Sequence, residues 1–145
     1  MRFLHYIPFI GLVIVAYNLA ALLTVGLSGA GGVGHLTSFL SATLFAIPMV
    51  SHESWILTVG DLFVIAGIAT LLQQIIKATH VDSADLVNQG LSMGVFVVAL
   101  VEFLLLPGFA TSTFFILLLM TLIDIMGGFL ISVSAARRDI EVTRG

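Results

Sequence analysis

Four long apolar runs, at residues 7–27, 55–77, 86–107 and 109–134, dominate the chain. Each approaches or exceeds the roughly 20 residues that a helix needs to cross hydrocarbon. A bilayer core offers no water to a bare backbone, so only helices and closed barrels span it. The runs are too long for barrel strands and lack their alternation. They predict an all-α membrane protein, a single membrane domain over residues 1–145 built as an antiparallel four-transmembrane-helix bundle. Composition agrees: only 9% of residues are charged and the mean hydropathy is +1.20, where a soluble domain has roughly a quarter of its residues charged.

If the four runs cross in turn, all five cationic residues, Arg2, Lys77, Arg137, Arg138 and Arg144, fall on one side. The positive-inside rule then makes both termini cytoplasmic. Arg2 before an apolar run resembles a signal peptide, but the run continues past the usual h-region length, which favours an uncleaved first helix.

The long segment between helices 1 and 2 opens with Ser28-Gly-Ala-Gly-Gly-Val-Gly34. Its Gly29, Gly31 and Gly34 spell a dinucleotide fingerprint, yet no buried strand precedes them, so a flexible turn is expected and no nucleotide. Leu36, Phe39, Leu40, Leu44 and Ile47 then recur at helical spacing. They predict a short amphipathic helix over 36–47, either interfacial or re-entrant. Ser54 is a cap for helix 2 and Trp55 an interface aromatic, while Asp82 or Ser83 would cap helix 3. Thr111, Ser112 or Thr113 would cap helix 4.

Several chemistries are excluded or unsupported. With no Cys there is no disulfide, thiolate nucleophile or cysteine-ligated metal. A net charge of -3 without a basic tract argues against nucleic acid. His5, His35, His52 and His80 all lie outside the helix cores, so no buried haem is expected. His52-Glu53 does not open an H-E-x-x-H zinc pattern, and the serines lack a positioned His and acid. No metal, no cofactor and no enzymatic activity are therefore expected.

The sharper question is posed by polar residues inside the apolar runs: Asn18, Asp61, Glu102, Thr121 and Asp124. An ionisable residue within a membrane helix is by default a candidate for transport or proton exchange. Counting 1.5 Å per residue puts Asp61 and Glu102 at similar depth and Asp124 and Asn18 nearer the middle, which predicts two polar layers. Asp61 and Glu102, if they face one another, would share a proton or bind a cation; alternatively Asp61 sits among headgroups. Asp124 would bond Asn18, Thr121 or a neighbouring subunit. Gly60 and Gly67, Gly90 and Gly94, and Gly127 and Gly128 offer slim faces for helix packing.

The stretches Leu91-Ser-Met-Gly-Val-Phe-Val-Val-Ala-Leu-Val-Glu-Phe103, Ala110-Thr-Ser-Thr-Phe-Phe115, Leu122-Ile-Asp-Ile-Met-Gly-Gly-Phe129 and Ala136-Arg-Arg-Asp139 together resemble a group of small bacterial inner-membrane proteins with four helices. The resemblance runs over residues 60–140. It implies a bacterial inner-membrane location and supplies no mechanism. The leading expectation is a small protein embedded in the lipid bilayer that acts by association, as a homo-oligomer or as an accessory subunit with other membrane-protein subunits. The alternative is a small proton- or cation-coupled transporter that uses the intramembrane carboxylates.

Overall fold

A computed structural model describes residues 8–28, 32–78 and 85–143. Arg2, His5, Gly29, Gly31, His80, Asp82, Ser83 and Arg144 lie outside the described residues. The chain is a multi-span helical membrane protein with elements α1 (Phe9–Ser28), α2 (Gly32–Leu40), β1 (Thr43–Pro48), β2 (Ser54–Thr58), α3 (Val59–Ala78), α4 (Asp85–Leu105) and α5 (Ser112–Thr143). Among the described residues, three stretches are long and apolar enough to cross a membrane: Val59–Ile76, Val87–Leu105 and Ser112–Leu130. The apolar stretch of α1, Phe9–Thr24, is shorter.

Two expectations are corrected between α1 and α3. The amphipathic helix expected over 36–47 stops at Leu40, and residues from Thr43 onward form a strand. The Ser41 hydroxyl and amide both bond the Thr37 carbonyl, which closes the last turn of α2. The second helix begins at Val59 rather than near Trp55. Trp55, Ile56 and Leu57 belong instead to β2, paired antiparallel with β1 in the register Phe45 with Leu57, Ala46 with Ile56 and Ile47 with Trp55. Aromatic and β-branched residues suit such cross-strand pairs. The helix start is set by Thr58 and Asp61. The Asp61 carboxylate accepts from the Thr58 amide at 2.9 Å, and the Asp61 amide donates to the Thr58 hydroxyl at 3.2 Å. This reciprocal pair is a capping box, which satisfies two amides that a helix N-terminus leaves bare.

The loop between α4 and α5 is equally local in origin. Leu106 to Phe109 is a turn closed by a bond from the Phe109 amide to the Leu106 carbonyl, with Gly108 at φ 96. Pro at the second position and a positive-φ Gly at the third is the type II pattern. The turn aims Phe109 into the core, and Thr111 caps α5 by accepting from the Phe114 amide at 3.2 Å. Helix 4 of the sequence reading therefore begins at Ser112 and not at residue 109.

Contacts define how the helices lie. Gly60 at the start of α3 meets Thr113 at the start of α5, Gly67 meets Leu117 and Met120, and Gln74 meets Asp124. Thus α3 and α5 run side by side in the same direction. Helix α4 runs against α5, with Gln89 beside Ile125 and Phe103 beside Phe115. Helix α1 begins near Gln74 and rises to Phe63, antiparallel to α3. The resulting bundle is antiparallel along the chain, but its principal neighbours include the parallel pair α3 and α5, with α5 also packed on α4 and α1 on α3.

Large apolar side chains such as Ile10, Phe114 and Leu117 fill the interior, yet many equally apolar ones lie outside. Leu62, Ile65, Ile68 and Leu72 on α3 and Val97, Val101 and Leu104 on α4 point outward, whereas Ala21, Ala99, Tyr17, Gln74, Ser92 and Thr121 are buried. Hydrocarbon solvates Leu and Ile as well as a protein core does, so close approach and polar pairing decide what faces inward. Gly60 is the tightest approach to backbone: a Cβ there would lie 2.8 Å from Thr113 Oγ1 and 3.3 Å from the Leu40 carbonyl oxygen. At Gly67 a Cβ would lie 2.7 Å from the ends of Leu117 and Met120. Gly90, Gly94 and Gly127 face open space, and Gly128 packs on the Gln89 side chain. Replacing Gly60 by Ala is expected to lower stability by about 1–3 kcal/mol through overpacking. Gly94→Ala should be neutral or slightly stabilising, since a mid-helix Gly costs about 0.5–1 kcal/mol relative to Ala. Thermal unfolding of the two variants in the same detergent checks the contrast.

Candidate functional site: two buried polar layers

Each intramembrane carboxylate of α4 and α5 is held by an amide from another helix. Asn18 Nδ2 on α1 donates to Glu102 Oε2 on α4 at 3.0 Å. About nine residues further along α5 from Phe115, some 13 Å by helical rise, Gln74 Nε2 on α3 donates to Asp124 Oδ2 at 2.8 Å. The two polar layers expected from depth are present, but their membership differs. Asn18 partners Glu102 and not Asp124. Asp61 does not face Glu102; it is exposed and occupied by its own helix cap. The reason is the hairpin, which moves the start of α3 four residues later and leaves Asp61 in the first turn. Thr121 is buried but turns its hydroxyl back onto the Leu118 carbonyl at 2.7 Å.

Gln74 is the residue that sequence reasoning missed. Gln73 before it and Lys77 after it give this stretch the look of the polar edge of a membrane segment, yet Gln74 is only 4% exposed. Its amide nitrogen also lies 3.4 Å from Ser92 Oγ on α4, and its Oε1 accepts from the Ile10 amide on α1 at 3.2 Å. Ile10 is in the first turn of α1, where amides have no intrahelical acceptor. One side chain of α3 therefore joins α1, α4 and α5. The available signal was spacing: Gly60, Gly67 and Gln74 are each seven apart, on one face of α3.

On α4 the inward face reads Asn88, Ser92, Val95, Ala99, Glu102, a three-four spacing that puts them in one stripe. Polar residues occupy both ends of that stripe, and Val95 and Ala99 lie between them. Ile14 of α1 and Leu117 of α5 are buried in the same core. The layers are thus separated by an apolar belt. Asn88 Oδ1 is buried without a hydrogen-bond partner.

At the end of the bundle that carries the hairpin, an open cleft of about 280 Å³ is lined by the hydroxyls of Thr37, Ser41, Thr58, Thr111 and Thr113 with Leu40 and Gly60. Thr111 Oγ1 of this lining is 2.7 Å from the hydroxyl of Tyr17, which is fully buried. Tyr17 packs on Phe63, Phe109 and Phe114 with ring centroids 4.8–5.8 Å apart. Among the described residues no group of three or more His, Asp or Glu is placed to hold a metal ion. Lys77, Arg137 and Arg138 fall on α3 and α5, beyond the apolar spans.

Compared with known protein families, characterised proteins and solved structures, the chain shows no significant match. What the fold and site define is therefore a class: a small multi-span helical membrane protein with carboxylates buried in polar contacts across helices.

Removing the Gln74 amide strands the Ile10 amide and Asp124 together. Gln74→Leu is expected to destabilise by about 1–3 kcal/mol, the range for orphaned buried polar groups. Gln73→Leu, at an exposed neighbour, should change little. Denaturant or thermal unfolding followed by circular dichroism separates the two.

Proposed function

We propose that this chain is a small proton- or cation-coupled transporter of the bacterial inner membrane, and not an enzyme. The observation that carries the reading is the pair of carboxylates, Glu102 and Asp124, each inside a membrane-crossing helix and held by a neutral amide, with no Lys or Arg anywhere in the three spans. A carboxyl group used only for structure would be cheaper as an amide or hydroxyl, so its retention in hydrocarbon favours an exchangeable proton or cation.

In this reading α1 is a fourth crossing, both termini are cytoplasmic, and the hairpin end faces outward. Glu102 exchanges with the outer side by way of the hydroxyl cleft, and Asp124 with the inner side by way of Asn88. The belt of Ile14, Val95, Ala99 and Leu117 keeps the layers from forming one continuous leak. Turnover requires the belt to open to one layer at a time, as alternating access demands. A four-helix chain is small for that motion, and a homo-oligomer would supply the second surface. The association reading, as an accessory subunit, is supported by Gly90 and Gly94, whose faces are open and suited to a further helix.

Infrared pH-difference spectra of the lipid-reconstituted protein test the proposal. The transporter reading expects a protonated-carboxyl C=O band that responds to the proton or cation gradient and is lost in Glu102→Gln or Asp124→Asn. The same substitutions should cut cation-driven proton movement into vesicles at least about tenfold, as for loss of an essential proton carrier. Absence of any responsive carboxyl band, with helical content intact, sinks it in favour of the accessory reading.

A further inference from the structure

Every residue from Ser41 to Ile56, most of the β1–β2 hairpin, is exposed, and the register sorts its residues. Directly opposed residues share a face, so Phe45, Leu57, Ile47 and Trp55 point to one side and Ala46, Ile56, Pro48 and Ser54 to the other. The first face is wholly apolar and carries both aromatic rings, with Phe45 65% and Trp55 50% exposed. The second is smaller and partly polar. At the tip, the Met49 amide bonds the Glu53 carbonyl, His52 adopts φ 66, and Val50 is 100% exposed.

Two constraints locate such an element. An apolar aromatic face of this kind is poorly matched to bulk water. A two-stranded sheet also has two open edges, whose bare amides and carbonyls are excluded from the hydrocarbon core. The headgroup layer satisfies both, because edge groups meet water and headgroups while one face sinks toward the acyl chains. The base of the hairpin is tied to the end of a membrane-crossing helix, by the Thr58 capping box and a bond from the Val59 amide to the Ala42 carbonyl at 3.1 Å. The hairpin thereby starts where the apolar span of α3 begins, at Val59. Residues 32–58 contain no Lys or Arg, so the surface matched is a zwitterionic one and not an anionic one.

We propose that the hairpin lies flat in the headgroup layer of the same bilayer, with Phe45, Ile47 and Trp55 directed at the acyl chains of zwitterionic lipid. It is a lipid-binding clamp on the outer end of α3 and on the rim of the hydroxyl cleft. This inference is independent of the role of the carboxylates.

Trp55 is the chain's single Trp and there is no Cys, so both ends of the hairpin can be reported separately. The protein is reconstituted in phosphatidylcholine vesicles containing lipids brominated at successive acyl depths. Trp55 emission should be quenched most by the shallowest bromines, and acrylamide quenching should fall at least about threefold below that of free tryptophan amide, as for an interfacial ring. A nitroxide on Val50→Cys should report the same shallow depth, which an upright hairpin would not allow. Phosphatidylglycerol in the vesicles should change neither result. Ile47→Glu, opposite Trp55, should raise acrylamide quenching without altering helical circular dichroism. Full acrylamide access with no bromine effect, or an aqueous Val50 label, places the hairpin in water and overturns the proposal. Protection from both quenchers overturns it as well, since a second copy or another protein would then cover the face.

Discussion

The arrangement of the bundle depends on one amide. Gln74 donates to the Asp124 carboxylate, lies against Ser92 and accepts the first-turn amide of Ile10, so that four helices meet on a single side chain. In a solvent as apolar as Leu, hydrophobic burial gives helices little reason to choose one neighbour over another. Polar groups with nowhere else to bond do supply that reason, and a fully satisfied cluster fixes register as well as adjacency. The close passage of Gly60 and Gly67 against α5 follows the same line, because a slim face is what lets Gln74 reach Asp124.

The second layer works differently. Asn18 and Glu102 form one bond between α1 and α4, beside the aromatic group around Tyr17. Here burial of large rings and a hydroxyl pair with Thr111 hold the hairpin end, and the Pro107-Gly108 turn is what delivers Phe109 and Thr111 to that place. The molecule thus has a polar clasp at one end and an aromatic one at the other, with a belt of small and branched apolar residues between them. Both candidate carboxylates lie in the clasps.

Much of the fold was legible before any coordinates. Long apolar runs leave the backbone one option, so long helices were expected where they occur, although α5 continues to Thr143, well past residue 134, and the two-layer depth of the acids followed from helical rise. Partners were not legible, because which helix lies beside which is a tertiary property that hydropathy does not encode. Asp61 was set at the depth of Glu102 by counting into a helix 2 that began too early. The hairpin was missed for a related reason: Leu36, Leu40, Leu44 and Ile47 fit a helical period across a segment that in fact changes from helix to strand at Ser41, and short apolar runs do not distinguish the two. Gln74 was hidden by its neighbours, since Gln73 and Lys77 make the stretch look like a boundary. Its seven-residue spacing from Gly60 and Gly67 was the overlooked mark.

The adjacency of α3 and α5 bears on how the protein is made. Synthesis proceeds from the N-terminus, so α3 is made before α5, on which one of its faces packs. Until α5 emerges, Gln74 has no Asp124 to bond, and the slim face of Gly60 and Gly67 has nothing to close on. The last helix is thus the keystone of assembly, and a chain truncated before it would present an unfinished, polar seam to whatever membrane quality control inspects.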